Sequence, residues 1–88
     1  MTLKFPYEVG DVIEVSNLEV TFNRWKDESP AGVVLSRGDR VLVVSYKVAS
    51  RLYRNPETYD AVLLHRDMLI ERPAPVICWL EWFDKVSQ

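Results

Sequence analysis

Two residues of this sequence are of the types that could form a nucleophile and its base: the single histidine, His65, and the single cysteine, Cys78. Cysteine catalysis needs a thiolate held against an imidazole and a third group to orient the ring, for which Asp60 or Asp67 is available. No motif of a cysteine enzyme surrounds either residue, and Cys78 lies in an apolar run, where a free cysteine is usually a small buried hydrophobe. We therefore predict a turn histidine, a core cysteine and no enzyme.

Carboxylates are the other groups that could do chemistry, as acid–base pairs or as ligands of a divalent metal ion. Asp27 and Glu28 are adjacent, but most acidic residues are scattered along the chain. A metal site generally needs three or more convergent ligands, and the chain has one histidine and one cysteine to add to these acids. Its three glycines are not clustered, so no phosphate-binding loop is present. We predict solvated charges and turn caps, with no metal and no cofactor.

A basic stretch interleaved with tyrosines, residues 47–54, could bind nucleic acid. Lys47, Arg51 and Arg54 would contact the backbone while Tyr53 stacks on a base, as small barrels do with single strands. Three positive charges give only a weak, salt-sensitive contact. The net charge of −2 and the pI of about 5.3 also argue against this function. Nucleic-acid binding is therefore the second hypothesis.

Tryptophans mark the two candidate protein-binding segments. Trp25, flanked by Arg24 and Lys26 in a predicted loop, resembles an interface anchor, because Trp and Arg are enriched at binding hot spots. The same indole could instead fold back as a lid on a small core. Trp79 and Trp82 lie in a tail that is apolar on both sides, which indicates either a central element or contact with a partner or a second copy.

Length and composition predict one domain spanning residues 1–88. With 48% hydrophobic residues, the chain is expected to fold rather than to be disordered. We see no signal peptide, and no apolar stretch approaches the roughly 20 residues of a membrane helix. A single cysteine excludes a disulfide within the chain. A reduced, cytoplasmic setting is therefore expected, with no membrane partner.

Alternating apolar residues predict a mainly β fold. The strongest signal is a hairpin within residues 32–44, in which two β-branched runs flank a Gly-Asp turn. Residues 9–22 read as one long strand that is interrupted by a bulge or tight bend at Ser16-Asn17. The tail, residues 76–86, is ambiguous between strand and helix; the apolar run favours a strand to about Leu80, followed by one helical turn.

The sequence LSRGDRVLVV at residues 35–44 resembles the turn and following strand of SH3 domains. The sequence VGDVIEV at residues 9–15 resembles the first strand of bacterial SH3-like and KOW-type barrels. The resemblance implies a small, partly open SH3-like barrel of five to six strands, here with a short C-terminal helical turn. The aromatic pair and the Pro-x-x-Tyr-Val ending of peptide-binding SH3 domains are missing, so no specificity for proline-rich peptides follows. Compact size and the lack of familiar motifs also resemble the small accessory proteins that phages encode.

These observations favour a non-catalytic protein-binding module, an inhibitor or adaptor of a larger host or cellular machine. Its predicted contact residues lie in the loop and the tail: Arg24, Trp25, Lys26, Trp79 and Trp82. The first alternative is a nucleic-acid-binding barrel that uses residues 47–54. The second alternative is a homo-oligomer that binds a small molecule between chains.

Overall fold

A curved antiparallel sheet makes up most of the computed structural model, which describes residues 4–26, 32–49 and 58–86. The described elements are, in chain order, β1 (Val12–Val15), β2 (Glu19–Arg24), β3 (Gly32–Ser36), β4 (Arg40–Val48), β5 (Thr58–His65), β6 (Met68–Pro75), α1 (Val76–Trp82) and β7 (Phe83–Lys85). The strands lie in the order β3-β2-β6-β5-β4-β1-β7 and form a half-barrel. The mainly β prediction is confirmed, but the described residues form seven strands rather than five or six.

Alternation along the strands determines which face of the sheet forms the core. In β2, Val20 and Phe22 are buried while their neighbours in the strand are exposed. In β5, the buried side chains Tyr59, Ala61 and Leu63 recur at every second residue. Because successive side chains in a strand point to opposite faces, the residues between them lie on the outer face of the half-barrel.

The bend predicted as one alternative at Ser16-Asn17 is present, but the prediction of one long strand is wrong. β1 pairs with β4 and β7, whereas β2 pairs with β3 and β6, so the two segments are separate strands. The Asn17 side-chain oxygen accepts a hydrogen bond from the Leu18 N–H at 2.8 Å, which stabilises a bend between them. Alternation could not reveal this break, because both strands bury every second side chain.

The predicted hairpin in residues 32–44 is also wrong, although the turn is present. β3 and β4 flank the turn, but β3 pairs with β2, and β4 pairs with β1 and β5. Within the turn, Asp39 Oδ2 accepts a hydrogen bond from the Ser36 N–H at 2.9 Å. The Gly38 N–H donates to the Val15 carbonyl at 3.0 Å. The turn is therefore bound to the end of β1, and it carries the chain from the sheet edge to an interior strand.

The tail contains both a helix and a strand, in the reverse of the predicted order. α1 comes first and β7 follows, paired antiparallel with β1. Pro75 precedes the helix with φ −61°, a position where the missing N–H of proline costs nothing. Val76 and Trp79 are buried while Ile77 and Leu80 are exposed, which is helical spacing. An apolar run of this length fits a short helix and a strand equally well, which explains the error.

Trp79 lies at the centre of the core and is 0% exposed. The ring centroids of Phe5, Phe22 and Phe83 lie 5.4, 5.8 and 5.8 Å from its own. Its indole N–H donates a hydrogen bond to the Ala74 carbonyl at 3.1 Å. Trp79 was predicted as a partner contact, and this placement corrects that prediction: its surface is used entirely by the core.

Tyr7 connects the N-terminal segment to the tail. Its hydroxyl lies 2.7 Å from the Phe83 carbonyl oxygen and 3.1 Å from that of Trp79. Burial, with a smaller contribution from the charge of Asp84, raises the pKa of Tyr7 to about 12. The hydroxyl therefore stays protonated at neutral pH and remains a donor to these carbonyls.

The two-residue turn Arg66-Asp67 joins β5 and β6, and Arg66 has φ 59°, in the left-handed region that disfavours side chains. We expect Arg66→Gly to raise the free energy of unfolding by up to about 1 kcal/mol, because the relieved strain exceeds the entropy glycine adds to the unfolded chain. Urea denaturation measures the change. Asp67→Gly is the control, since Asp67 has negative φ and its replacement only adds flexibility. An equal gain from both variants would contradict the strain argument.

Candidate functional site

The outer face of β4, β5 and β6 carries a row of polar residues. β4 has an irregularity after Val43, beyond which Ser45 lies opposite Val62 and Lys47 lies opposite Asp60. This bulge fixes which β4 side chains share the outer face with those of β5. On the other side of β5, Val62 lies opposite a residue of β6, Glu71.

Trp25 stands beside this face, at the end of β2. Its backbone N–H donates to the Leu69 carbonyl of β6 at 3.1 Å, which holds the residue against the sheet. The next residue, Lys26, has φ 59°, and its ammonium lies 4.4 Å from the centroid of the Trp25 ring. Trp25 is 37% exposed. Its indole therefore lies on the outside of the half-barrel and is accessible to a partner.

Two hollows flank Trp25. One, which we call the Trp25 groove, has a volume of about 280 Å³ and is lined by Trp25, Ser45, Tyr46, Lys47, Asp60, Val62 and Glu71. The other, which we call the hairpin hollow, has a volume of about 490 Å³ and is lined by Arg24, Trp25, Asp67, Met68 and Leu69. The indole is thus a wall shared by two concave surfaces.

Burial raises the pKa of two carboxyl groups in the Trp25 groove, those of Asp60 and Glu71. Asp60 and Glu71 lie diagonally across the β5–β6 pairing, within side-chain reach of each other. Burial raises the pKa of Asp60, and the charge of Lys47 partly offsets that rise. Burial and then the charge of Asp60 raise the pKa of Glu71, while Lys47 lowers it. The lining of the groove therefore contains two acidic side chains and one basic side chain.

One oxygen of Asp60, Oδ1, is buried and has no hydrogen-bond partner among the described residues. A buried carboxylate oxygen without a donor is costly, and native structures usually avoid it. The described residues contain no group of three or more His, Cys, Asp or Glu side chains that could hold a metal ion. The groove therefore places two carboxyl groups, which accept hydrogen bonds when ionised, beside the Trp25 indole.

The structure brings together part of the predicted protein-binding set. Arg24 lines the hairpin hollow, Trp25 lines both the hollow and the groove, and the Lys26 ammonium lies over the Trp25 ring. Trp79 is in the core, as described above. Trp82 is half-buried against the core, with the Arg72 guanidinium 4.5 Å from its ring centroid. The two tryptophans of the tail therefore supply core packing, and of the three tryptophans Trp25 is the exposed one.

The predicted nucleic-acid residues are mostly outside the described part of the chain: Arg51, Tyr53 and Arg54 lie there. Lys47 is described, and it lines the Trp25 groove opposite Asp60. A lysine beside two carboxylates is a poor phosphate contact, because the acidic groups repel the backbone of a nucleic acid. The described residues thus give no support to this alternative.

The candidate catalytic pair is placed on two different elements. His65 is the last residue of β5, next to the turn at residues 66–67, and Cys78 lies within α1. Cys78 packs against the core and is half-buried.

Sequence reasoning missed Asp60 and Glu71 as members of the site. Asp60 interrupts the otherwise apolar strand at residues 59–64, and a charge inside such a strand is a local conflict that often marks a functional position. That signal was available from the sequence. The proximity of Asp60 to Glu71 could not be predicted from the sequence, because it depends on the β5–β6 register.

Comparison with protein-family models, curated proteins and solved structures gives no match. The function is therefore argued from the chemistry of the site. No helix in residues 4–26, 32–49 and 58–86 is long and apolar enough to cross a bilayer.

The raised pKa of Asp60 makes stability depend on pH. The folded state holds this proton more tightly than the unfolded state, so the free energy of unfolding falls as pH rises from the ordinary pKa of 3.8 through the raised pKa. We expect Asp60→Asn to be more stable than the wild type at neutral pH, by up to about 1 kcal/mol. The difference should vanish in acid, where Asp60 is protonated.

Thermal denaturation followed by circular dichroism between acidic and neutral pH measures this effect. Lys47 and Glu71 also act on Asp60 and titrate in the same protein, so Glu71→Gln is measured alongside. A neutral-pH loss of stability in Asp60→Asn would show that the carboxylate is satisfied in the folded state, contrary to its raised pKa.

Proposed function

We propose that this chain is a non-catalytic, cytoplasmic protein-binding module that contacts its partner through the outer sheet face around Trp25. The observation that carries the proposal is the position of Trp25: an accessible indole between two hollows, held to the sheet through its backbone. Tryptophan is enriched among residues that dominate binding energy, especially where it can be buried in a pocket on association.

The groove beside Trp25 is lined by Asp60, whose buried Oδ1 has no hydrogen-bond partner among the described residues. This supports a binding role rather than a purely structural one. A lid that merely shields the core would gain nothing from an unpartnered carboxylate oxygen and a second carboxyl group beside it. Natural proteins break such local rules mainly at functional sites.

The sequence pattern of residues 35–44 supports an SH3-like origin for this half-barrel, which we include in the proposal. The small size of the chain suits an accessory protein, such as those of phages, that inhibits or adapts a larger machine. A domain of 88 residues has surface for one standard interface of about 800 Å² per partner.

The test is affinity capture from native lysate with two baits, the wild-type chain and Trp25→Ala. The lysate is treated with nuclease, and the washes use low and high salt. We expect one stoichiometric protein that the wild type retains under both conditions and that Trp25→Ala loses. Retention by both baits would overturn the proposal, because the contact would then lie elsewhere.

The same experiment distinguishes the alternatives. Recovery that disappears with nuclease and with salt would establish the nucleic-acid hypothesis instead. A bait that retains nothing but elutes as a stable multimer, and whose melting temperature rises with a small molecule, would establish the oligomeric ligand-binding hypothesis.

A further inference from the structure

We propose that the Trp25 groove receives an arginine side chain of the partner protein, with the guanidinium stacked on Trp25 and hydrogen-bonded to Asp60 and Glu71. The inference rests on the proposed function, since it names the chemistry of the partner at that same site. The proposed occupant of the groove is a basic side chain rather than a small molecule, a metal ion or a nucleic acid.

Charge complementarity is the first argument. The groove contains two carboxyl groups on neighbouring strands and one ammonium group, that of Lys47. The buried Oδ1 of Asp60 lacks a donor among the described residues. A cationic donor in the groove would hydrogen-bond to the carboxyl groups and offset the repulsion between Asp60 and Glu71.

The aromatic wall is the second argument. Trp25 already has a cation over its ring, the Lys26 ammonium at 4.4 Å from the centroid. Tryptophan is the best aromatic partner for cations, and the attraction increases when the pair is desolvated. The indole lines the groove as well, so an inserted cation would contact both the ring and the carboxylates.

Size is the third argument. The groove volume of about 280 Å³ lies just below the usual range of small-molecule sites, about 300–1,000 Å³. This volume is enough to hold one long side chain. The described residues also contain no cluster of ligands for a metal ion.

Arginine fits the geometry better than lysine. Asp60 and Glu71 are diagonal neighbours, so their acceptor oxygens are spread over two strands. A guanidinium presents five donors in a planar fork and stacks on aromatic faces, whereas an ammonium is a compact point charge that keeps its water strongly. The planar group can contact the indole and donate sideways to both carboxylates at once.

The probe is N-acetyl-arginine amide, titrated into the ¹⁵N-labelled full chain and followed by two-dimensional NMR. Its matched control is N-acetyl-citrulline amide, which keeps the shape and loses the charge. We expect the arginine probe to shift the Trp25 indole signal and the amide signals of Asp60, Val62 and Glu71 with millimolar affinity. The citrulline probe should bind at least about tenfold more weakly.

Two variants locate the site. Asp60→Asn combined with Glu71→Gln should abolish the shifts caused by the arginine probe, while Asp67→Asn in the hairpin hollow should leave them unchanged. Because Asp60→Asn is expected to stabilise the fold, loss of binding would not reflect unfolding. Equal shifts from both probes, full binding by the double variant, or no shift at groove residues would each overturn the inference.

The double variant also serves as a third bait in the capture experiment. If Trp25→Ala loses the partner and the double variant retains it, the protein-binding function stands and the arginine contact fails. If both baits retain the partner, both proposals fail. Loss of the partner by both baits, together with charge-dependent probe binding, supports both.

Discussion

Replacing Trp79 by alanine is expected to lower the free energy of unfolding by about 3–5 kcal/mol. That is a large part of the roughly 5–15 kcal/mol that holds a domain together. Trp79 is fully buried, and its ring packs against Phe22 and Phe83 at centroid distances of 5.8 Å. Alanine would leave a large cavity and an unsatisfied carbonyl at Ala74, which accepts the indole N–H. Urea denaturation followed by circular dichroism measures the loss.

Trp82→Ala is the matched control, because it removes the same type of side chain from a half-buried position just under one turn further along α1. We expect a smaller loss, about 1–2 kcal/mol, since part of the Trp82 surface remains in water in the folded state. A Trp79→Ala loss no larger than that of Trp82→Ala would contradict the central position of Trp79 in the core.

Sequence patterns predicted the class of the fold because strand alternation is a local property. The buried positions Val20 and Phe22 follow from the alternation in residues 18–22. Strand pairing is not local: β2 lies between β3 and β6, and no pattern within β2 indicates that. The Gly-Asp turn at residues 38–39 was correctly located, yet its flanking strands have different neighbours because the turn binds β1 instead of closing a hairpin.

The candidate site was predicted in part for the same reason. Trp25 could be singled out because the charged residues beside it are adjacent in sequence. Asp60 and Glu71 are far apart along the chain, and only the β5–β6 register makes them neighbours. Trp79 was assigned to the wrong class, because a terminal apolar run has the same composition whether it faces a partner or completes the core.

The two tryptophans therefore differ in what their removal should affect. Trp79 is fully buried among rings, whereas Trp25 lies outside the core, is 37% exposed and is bound to β6 by its backbone N–H. The backbone hydrogen bond survives a change of side chain. We therefore expect Trp79→Ala to lower mainly the stability of the fold, and Trp25→Ala to lower mainly the affinity for the partner.

Trp25→Ala is expected to weaken binding to the captured partner by about 2 kcal/mol or more, roughly thirtyfold, which is the size of a hot-spot truncation. The free energy of unfolding should change by less than about 1 kcal/mol, because the indole is exposed and its loss opens no cavity in the core. Isothermal titration calorimetry with the purified partner measures the affinity, and urea denaturation measures the stability of the same sample.

Val34→Ala is the control for nonspecific loss of apolar surface. Val34 is 53% exposed and lies on β3, one of the two edge strands of the described sheet. It lines neither the Trp25 groove nor the hairpin hollow. Its replacement should change the affinity by less than about 0.5 kcal/mol. Unchanged affinity in Trp25→Ala would place the interface elsewhere. A loss of affinity matched by an equal loss of stability would mean that Trp25 supports the fold. Only a loss of affinity without a loss of stability identifies Trp25 as the contact.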